Sequence, residues 1–151
     1  MILYAAAAFS LLAALIHLWV IPEHFEEWWG YGAFFLISAV AQGAYSAALL
    51  GWPRRSLLLL GIGGNVSIIV LYLLTRTVGI PFFGPHAGEV EGVGVADIVA
   101  TSSELALVVA LLGVLLRGLP RERVVVLFVL ALVGLFVGHL LHLMFSLTPA
   151  H

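Results

Sequence analysis

Five long apolar stretches, separated by short segments rich in Gly, Pro and charge, decide what this chain can fold into. An apolar helix needs about 20 residues to cross the roughly 30 Å hydrocarbon layer of a bilayer. The stretches are residues 2–21, 29–50, 56–75, 97–116 and 124–147. Because 63% of the residues are hydrophobic and only 9% are charged, the chain cannot cover a water-facing surface. We therefore predict an all-α integral membrane bundle of five transmembrane helices, forming one transmembrane domain over residues 1–151.

Helix-breaking residues mark the ends of these stretches. Pro22, Pro53 and Pro120 follow the first, second and fourth stretches. Because Pro lacks a backbone N–H and its ring clashes with the preceding turn, we expect each helix to end before it. The longest connection, residues 76–96, is rich in Gly and Pro and shows no helical period, so we predict an external loop there.

The distribution of Arg indicates how the helices are oriented. Five of the six basic Lys and Arg positions lie in two segments that fall on the same side of a five-span chain. These are Arg54, Arg55, Arg117, Arg121 and Arg123. By the positive-inside rule that side is the cytoplasm, so we expect a cytoplasmic N-terminus and an extracytoplasmic C-terminus. The expected location is a cell membrane, of the bacterial or archaeal inner-membrane type, with lipid as the surrounding partner and no nucleic acid.

Polar side chains share one face of each predicted helix. In lipid such side chains are costly, and they normally face the interior of the bundle. Asn65, Tyr72 and Arg76 follow one stripe of the third helix, and Gln42 lies on a similar stripe of the second. We interpret these four residues as a polar seam, whose simplest role is hydrogen bonding between helices.

Four ionisable side chains stand apart because they share one depth in the predicted bilayer. His17, Glu104, His139 and His142 lie roughly 6 to 12 Å below its outer boundary, at 1.5 Å per residue. Imidazole and carboxylate are ligands of zinc, copper and non-haem iron. The chain has no Cys, so thiolate ligands are excluded. If the first, fourth and fifth helices are neighbours, these residues predict a metal site.

Two other interpretations of the same residues stay open. In one, a histidine bonds a backbone carbonyl, another lies at the membrane interface, and Glu104 is protonated or paired with Arg76. In the other, a b-type haem lies between His17 and either His139 or His142.

A further set of ionisable residues is predicted at the outer mouth of the bundle. It comprises Glu23, His24, Glu27, His86, Glu89, Glu91, Asp97 and His151. Together they could raise the local cation concentration, as an outer vestibule. Solvated loop charge is the simpler interpretation of any one of them.

These patterns favour a membrane protein that binds copper or zinc for acquisition, delivery or sensing of the metal. The alternatives are a haem b electron-transfer protein and a non-catalytic membrane subunit or assembly factor. Five spans are few for a complete transporter, so a homo-oligomer or a larger membrane complex is the setting in which transport would be expected. Nothing selects a substrate, and an enzymatic role is not favoured.

Overall fold

Four helices account for most of residues 1–117, the part of the chain that the computed structural model describes. They are α1 (Ile2–Glu27), α2 (Trp29–Gly51), α3 (Arg55–Thr77) and α4 (Val95–Leu116). Met1–Leu115 form one compact unit. The predicted fifth span, residues 124–147, lies outside the described range.

The boundaries of α2, α3 and α4 agree with the predicted stretches to within two residues. The prediction that the first helix ends before Pro22 is wrong, because α1 continues through Pro22 to Glu27. A proline removes only the backbone hydrogen bond of its own N–H, here the one to the Leu18 carbonyl, and the helix continues beyond it. The His24 side chain donates from Nδ1 to the Val20 carbonyl at 2.8 Å, and the Trp28 N–H bonds the His24 carbonyl at 3.0 Å.

All four helices are long and apolar enough to cross a membrane. Large apolar side chains point away from the bundle on every helix, including Leu15, Leu18, Ile37, Val40, Leu60 and Val109. In water so much contiguous apolar surface would be unfavourable, whereas lipid accommodates it. The described helices therefore have the character of a membrane-embedded, multi-pass protein.

One end of the bundle is tightly packed, and we name it the closed end. It carries the N-terminus of α1 and the α2–α3 turn at residues 52–54. Its core consists of Ala6, Ala7, Leu49, Leu58, Leu107 and Leu111. The small Ala side chains let α1 approach α2 closely, and Ser46 Oγ donates to the Ala7 carbonyl at 2.8 Å.

The opposite end, which we name the open end, carries the α1–α2 turn at Trp28 and the α3–α4 connection, residues 78–94. The connection is held against the helices by Phe83, whose carbonyl accepts a hydrogen bond from Tyr31 Oη at 3.2 Å. The ring of Trp28 packs edge-on against the Phe83 ring, with centroids 4.9 Å apart. Gly79 has a φ of +71°, and a Cβ there would lie 2.7 Å from the Gly88 backbone, so this turn requires Gly.

Candidate binding site: a polar layer beneath a cavity

On each of α2, α3 and α4, three residues that are seven positions apart lie in three successive layers of the bundle. Positions seven apart share a face because they are separated by about two turns of 3.6 residues. From the closed end to the open end, the residues are Leu49, Gln42 and Phe35 on α2, Leu58, Asn65 and Tyr72 on α3, and Leu111, Glu104 and Asp97 on α4. The middle residue of each set is polar, so the packed helices carry a polar layer between an apolar core and the open end.

Glu104 connects the helices in this layer. His17 Nε2 of α1 lies 3.1 Å from Glu104 Oε1, and Gln42 Nε2 donates to the same oxygen at 2.9 Å. Gln42 Nε2 also donates to Asn65 Oδ1 at 3.2 Å, so all four helices are linked. None of the four residues is more than 5% exposed, and Glu104 is 1% exposed. The polar layer is therefore an interior network built from residues up to 87 positions apart.

The network leaves acceptor capacity unused. Both hydrogen bonds to Glu104 fall on Oε1, and nothing within residues 1–117 donates to its Oε2. Gln42 Oε1 is fully buried and likewise has no partner in that range. Because a buried acceptor without a donor is costly, the layer is suited to receiving a further donor or a cation.

A cavity of about 750 Å³ lies on the open-end side of the polar layer. His17 and Glu104 both line it, and much of its wall is apolar and aromatic, including Phe34, Phe35 and Leu71. Its volume falls in the range of roughly 300–1,000 Å³ that is typical of small-molecule sites. The polar layer is thus accessible to a ligand that enters the cavity.

The structure places His24 in the wall of this cavity, within α1. Its ring packs on that of Phe35 at a centroid distance of 4.1 Å, and the His17 ring lies 5.5 Å from the same Phe35 ring. Sequence reasoning missed Phe35, although its position seven residues from Gln42 could have identified it.

Arg76 lies at the mouth of the cavity and connects α3 to α4 and to residues 78–94. Its guanidinium pairs with Glu91 and, at 2.9 Å, with Asp97, and it lies 5.0 Å from the centre of the Tyr72 ring. The interpretation that pairs Glu104 with Arg76 is therefore wrong. Arg76 is eleven residues beyond Asn65 on α3, which is about 16 Å along the helix axis, so it belongs to a different layer.

His86 holds the connecting segment to the end of α1. Its Nδ1 lies 3.0 Å from Glu89 Oε2, and its Nε2 lies 3.5 Å from Glu27 Oε1. Of the seven residues predicted at the mouth that the structure describes, six line the cavity: His24, Glu27, His86, Glu89, Glu91 and Asp97. Glu23 is exposed and is not among them, and His151 lies outside the described range. The mouth carboxylates pair with Arg76 and His86, so part of their charge is already neutralised. Their role in collecting cations stays a prediction.

The structure brings together two of the four predicted metal ligands, His17 and Glu104. His139 and His142 lie outside the described residues. Up to residue 117, no group of three or more His, Cys, Asp or Glu side chains is arranged to hold a metal ion.

No protein-family model matches this chain, and neither does any curated protein or solved structure.

Proposed function

We propose that this chain is a five-span membrane protein that binds a transition metal ion, copper or zinc, in the outer half of the bilayer. In this proposal His17 and Glu104 supply two ligands, and His139 and His142 of the predicted fifth span supply the others. The bound metal serves acquisition, delivery or sensing. The N-terminus and the closed end face the cytoplasm, and the cavity is entered from outside.

The observation that carries the proposal is the contact between His17 and Glu104, two ionisable side chains buried inside the bundle. Ionisable side chains are costly within a membrane, and those that occur there usually serve a function. Imidazole and carboxylate together form a suitable ligand pair for zinc or copper. Both residues also line the cavity, so an ion has a route to them.

The distribution of charge between the two ends supports the orientation. Arg54 and Arg55 lie at the closed end, where the positive-inside rule places the cytoplasm. Glu27, Glu89 and Glu91 lie at the mouth of the cavity, on the side from which an external cation would arrive.

A second candidate, a non-catalytic membrane subunit or assembly factor, is favoured by hydrogen bonds that need no ligand. Ser10, Ser46 and Tyr45 each donate to a backbone carbonyl of a neighbouring helix, at 2.8 to 3.1 Å. The haem alternative depends on His139 or His142, because His24 lies on the same helix as His17, and His86 lies at the mouth beside Glu27 and Glu89.

Metal analysis of the intact protein tests the proposal. After mild, chelator-free purification we expect about one copper or zinc per chain, and His17→Ala, Glu104→Gln and His142→Ala should each weaken binding at least about ten-fold. His86→Ala is the matched control, because His86 lies at the mouth, and it should retain the metal. A visible spectrum with a Soret band would favour haem instead. A metal-free protein, or metal content unchanged by His17→Ala, would favour the packing role.

A further inference from the structure

The cavity is much larger than a metal ion requires. Its volume of about 750 Å³ compares with roughly 30 Å³ for one water molecule in the liquid. A site of this size, with an apolar wall and a few polar groups at one end, is typical of organic ligands. We propose that the cavity binds an amphipathic organic amine, with its ammonium group at Glu104 and its apolar body along Phe34, Phe35 and Leu71. This inference goes beyond metal binding, because it needs only residues 1–117 and not the predicted fifth span.

Glu104 is the group that selects an ammonium. It is almost completely buried, and its Oε2 has no donor among residues 1–117. The chain has no Lys, and Arg76 is engaged with Glu91 and Asp97. A carboxylate removed from water gains most from a partner that brings both positive charge and N–H donors, and an ammonium group brings three.

The aromatic wall favours the same class of ligand. Phe35 lies directly beside the polar layer, since its ring is 5.5 Å from that of His17. A cation within about 6 Å of an aromatic face is attracted by the ring quadrupole, and this attraction strengthens when water is excluded. Phe34 and Leu71 offer apolar surface to the rest of the molecule.

The charges around the cavity disfavour an anionic ligand. Five carboxylates line it, and Arg76 is the single Lys or Arg residue that does so in the described range. The carboxylates are Glu27, Glu89, Glu91, Asp97 and Glu104. An organic acid with the same apolar body would meet this negative field, and the guanidinium of Arg76 is already paired with Glu91 and Asp97.

Three probes that differ only in their head group test the inference. Phenylbutylamine, phenylbutanol and phenylbutanoate carry the same apolar body, and each is titrated calorimetrically into the full chain in detergent after removal of metal with a chelator. We expect one amine per chain, bound at least about ten-fold more tightly than the alcohol, which corresponds to about 1.4 kcal/mol. The carboxylate should not bind. Equal binding of the three probes would show partition into the micelle or apolar surface alone and would overturn the inference.

Variants identify the group that holds the ammonium. Glu104→Gln keeps the size of the side chain and removes its charge, so amine binding should fall about ten-fold or more while alcohol binding is unchanged. Glu26→Gln, at an exposed carboxylate of α1 outside the cavity, should bind the amine as the parent does. An equal loss in both variants, or no loss in Glu104→Gln, would refute the role of Glu104. If Glu104→Gln does not fold, the comparison of the three probes on the unsubstituted protein still tests the inference.

The same samples separate this inference from the metal proposal. Amine selectivity in a protein that binds no zinc or copper refutes only the metal proposal. Metal binding without any preference for the amine refutes only the inference made here.

Discussion

The closed and open ends of the described bundle are built from the same four helices, yet only one of them is filled. At the closed end Leu107 and Leu111 are fully buried against Ala6 and Ala7. At the open end the helices surround about 750 Å³ of space. Each helix contains an 18-residue stretch with a mean hydropathy of 1.6 to 2.3, so both ends belong to strongly apolar helices. What differs is the size and polarity of the inward residues: Ala and Leu allow close packing, whereas the larger residues His24, Phe35, Tyr72 and Arg76 accompany the cavity.

The comparison of the two ends predicts the largest loss of stability for a substitution at Leu107. Leu107→Ala should reduce the free energy of unfolding by about 2 to 5 kcal/mol, because it leaves a cavity in the packed core. The matched control is Leu105→Ala on the same helix, where the side chain is 55% exposed and the expected change is within about 0.5 kcal/mol. The check is reversible unfolding in detergent or bicelles. Similar losses at the two positions would mean that the closed end is not packed as described.

Gly61 provides the next test of close packing. A Cβ at this position would meet the ring of Tyr45, whose hydroxyl donates to the Leu57 carbonyl at 3.1 Å. Gly61→Ala should therefore cost about 1 to 3 kcal/mol of unfolding free energy. Gly63→Ala, two residues along α3 with nothing within 4 Å of the added Cβ, should be neutral or stabilising by up to about 1 kcal/mol. A stabilising Gly61→Ala would contradict the close approach of α2 and α3.

Ser46 tests the hydrogen bond between α1 and α2. Ser46→Ala removes the donor to the Ala7 carbonyl and should cost about 0.6 kcal/mol, the usual size of an interhelical hydrogen bond in a membrane protein. Ser102→Ala, at an exposed serine of α4, should leave the unfolding free energy unchanged. The measurement is the free energy of unfolding of the two variants under the same conditions. Equal values would show that the hydrogen bond from Ser46 does not stabilise the closed end.

A similarly small effect on stability is expected at the open end, from Asp97→Asn. It removes one charge from the pair with Arg76 but keeps an acceptor for the Gly94 N–H, so the cost should be about 0.2 to 1 kcal/mol. Amide hydrogen exchange in residues 78–94 should nevertheless accelerate several-fold, because the pair ties this segment to α3 and α4. Glu26→Gln serves as the charge-matched control and should leave exchange unaltered. Unchanged exchange in Asp97→Asn would show that the pair between Asp97 and Arg76 does not hold this segment.

The helices themselves could be predicted from sequence, because an apolar stretch of about 20 residues has few other options. Of the five predicted spans, four lie within the described residues, and three of these agree with the helices to within two residues. Pro22 misled the prediction, since a proline near the end of a helix removes a single hydrogen bond that neighbouring groups can offset.

The polar layer was only partly accessible to sequence reasoning. The shared depth of His17 and Glu104 follows from counting residues, but their contact requires α1 and α4 to be neighbours, which helical periodicity does not determine. The sequence predicts Gln42 and Asn65 to be a polar seam for packing, and the structure joins Asn65 to Glu104 through Gln42. The repeated spacing of seven on α2, α3 and α4 is the signal that could have joined them to Glu104. The volume of the cavity depends on how far the helices separate, and no local pattern encodes that distance.

The contact between His17 and Glu104 is the central claim, and solid-state NMR in lipid measures it most directly. In a His86→Ala background, which removes the histidine that contacts Glu27 and Glu89, an imidazole ¹⁵N should show a dipolar coupling to a carboxyl ¹³C, as expected for a nitrogen–oxygen distance of 3.1 Å. The coupling should vanish when either His17→Ala or Glu104→Gln is added. A coupling that survives both substitutions, or no coupling at all, would show that the two side chains do not meet.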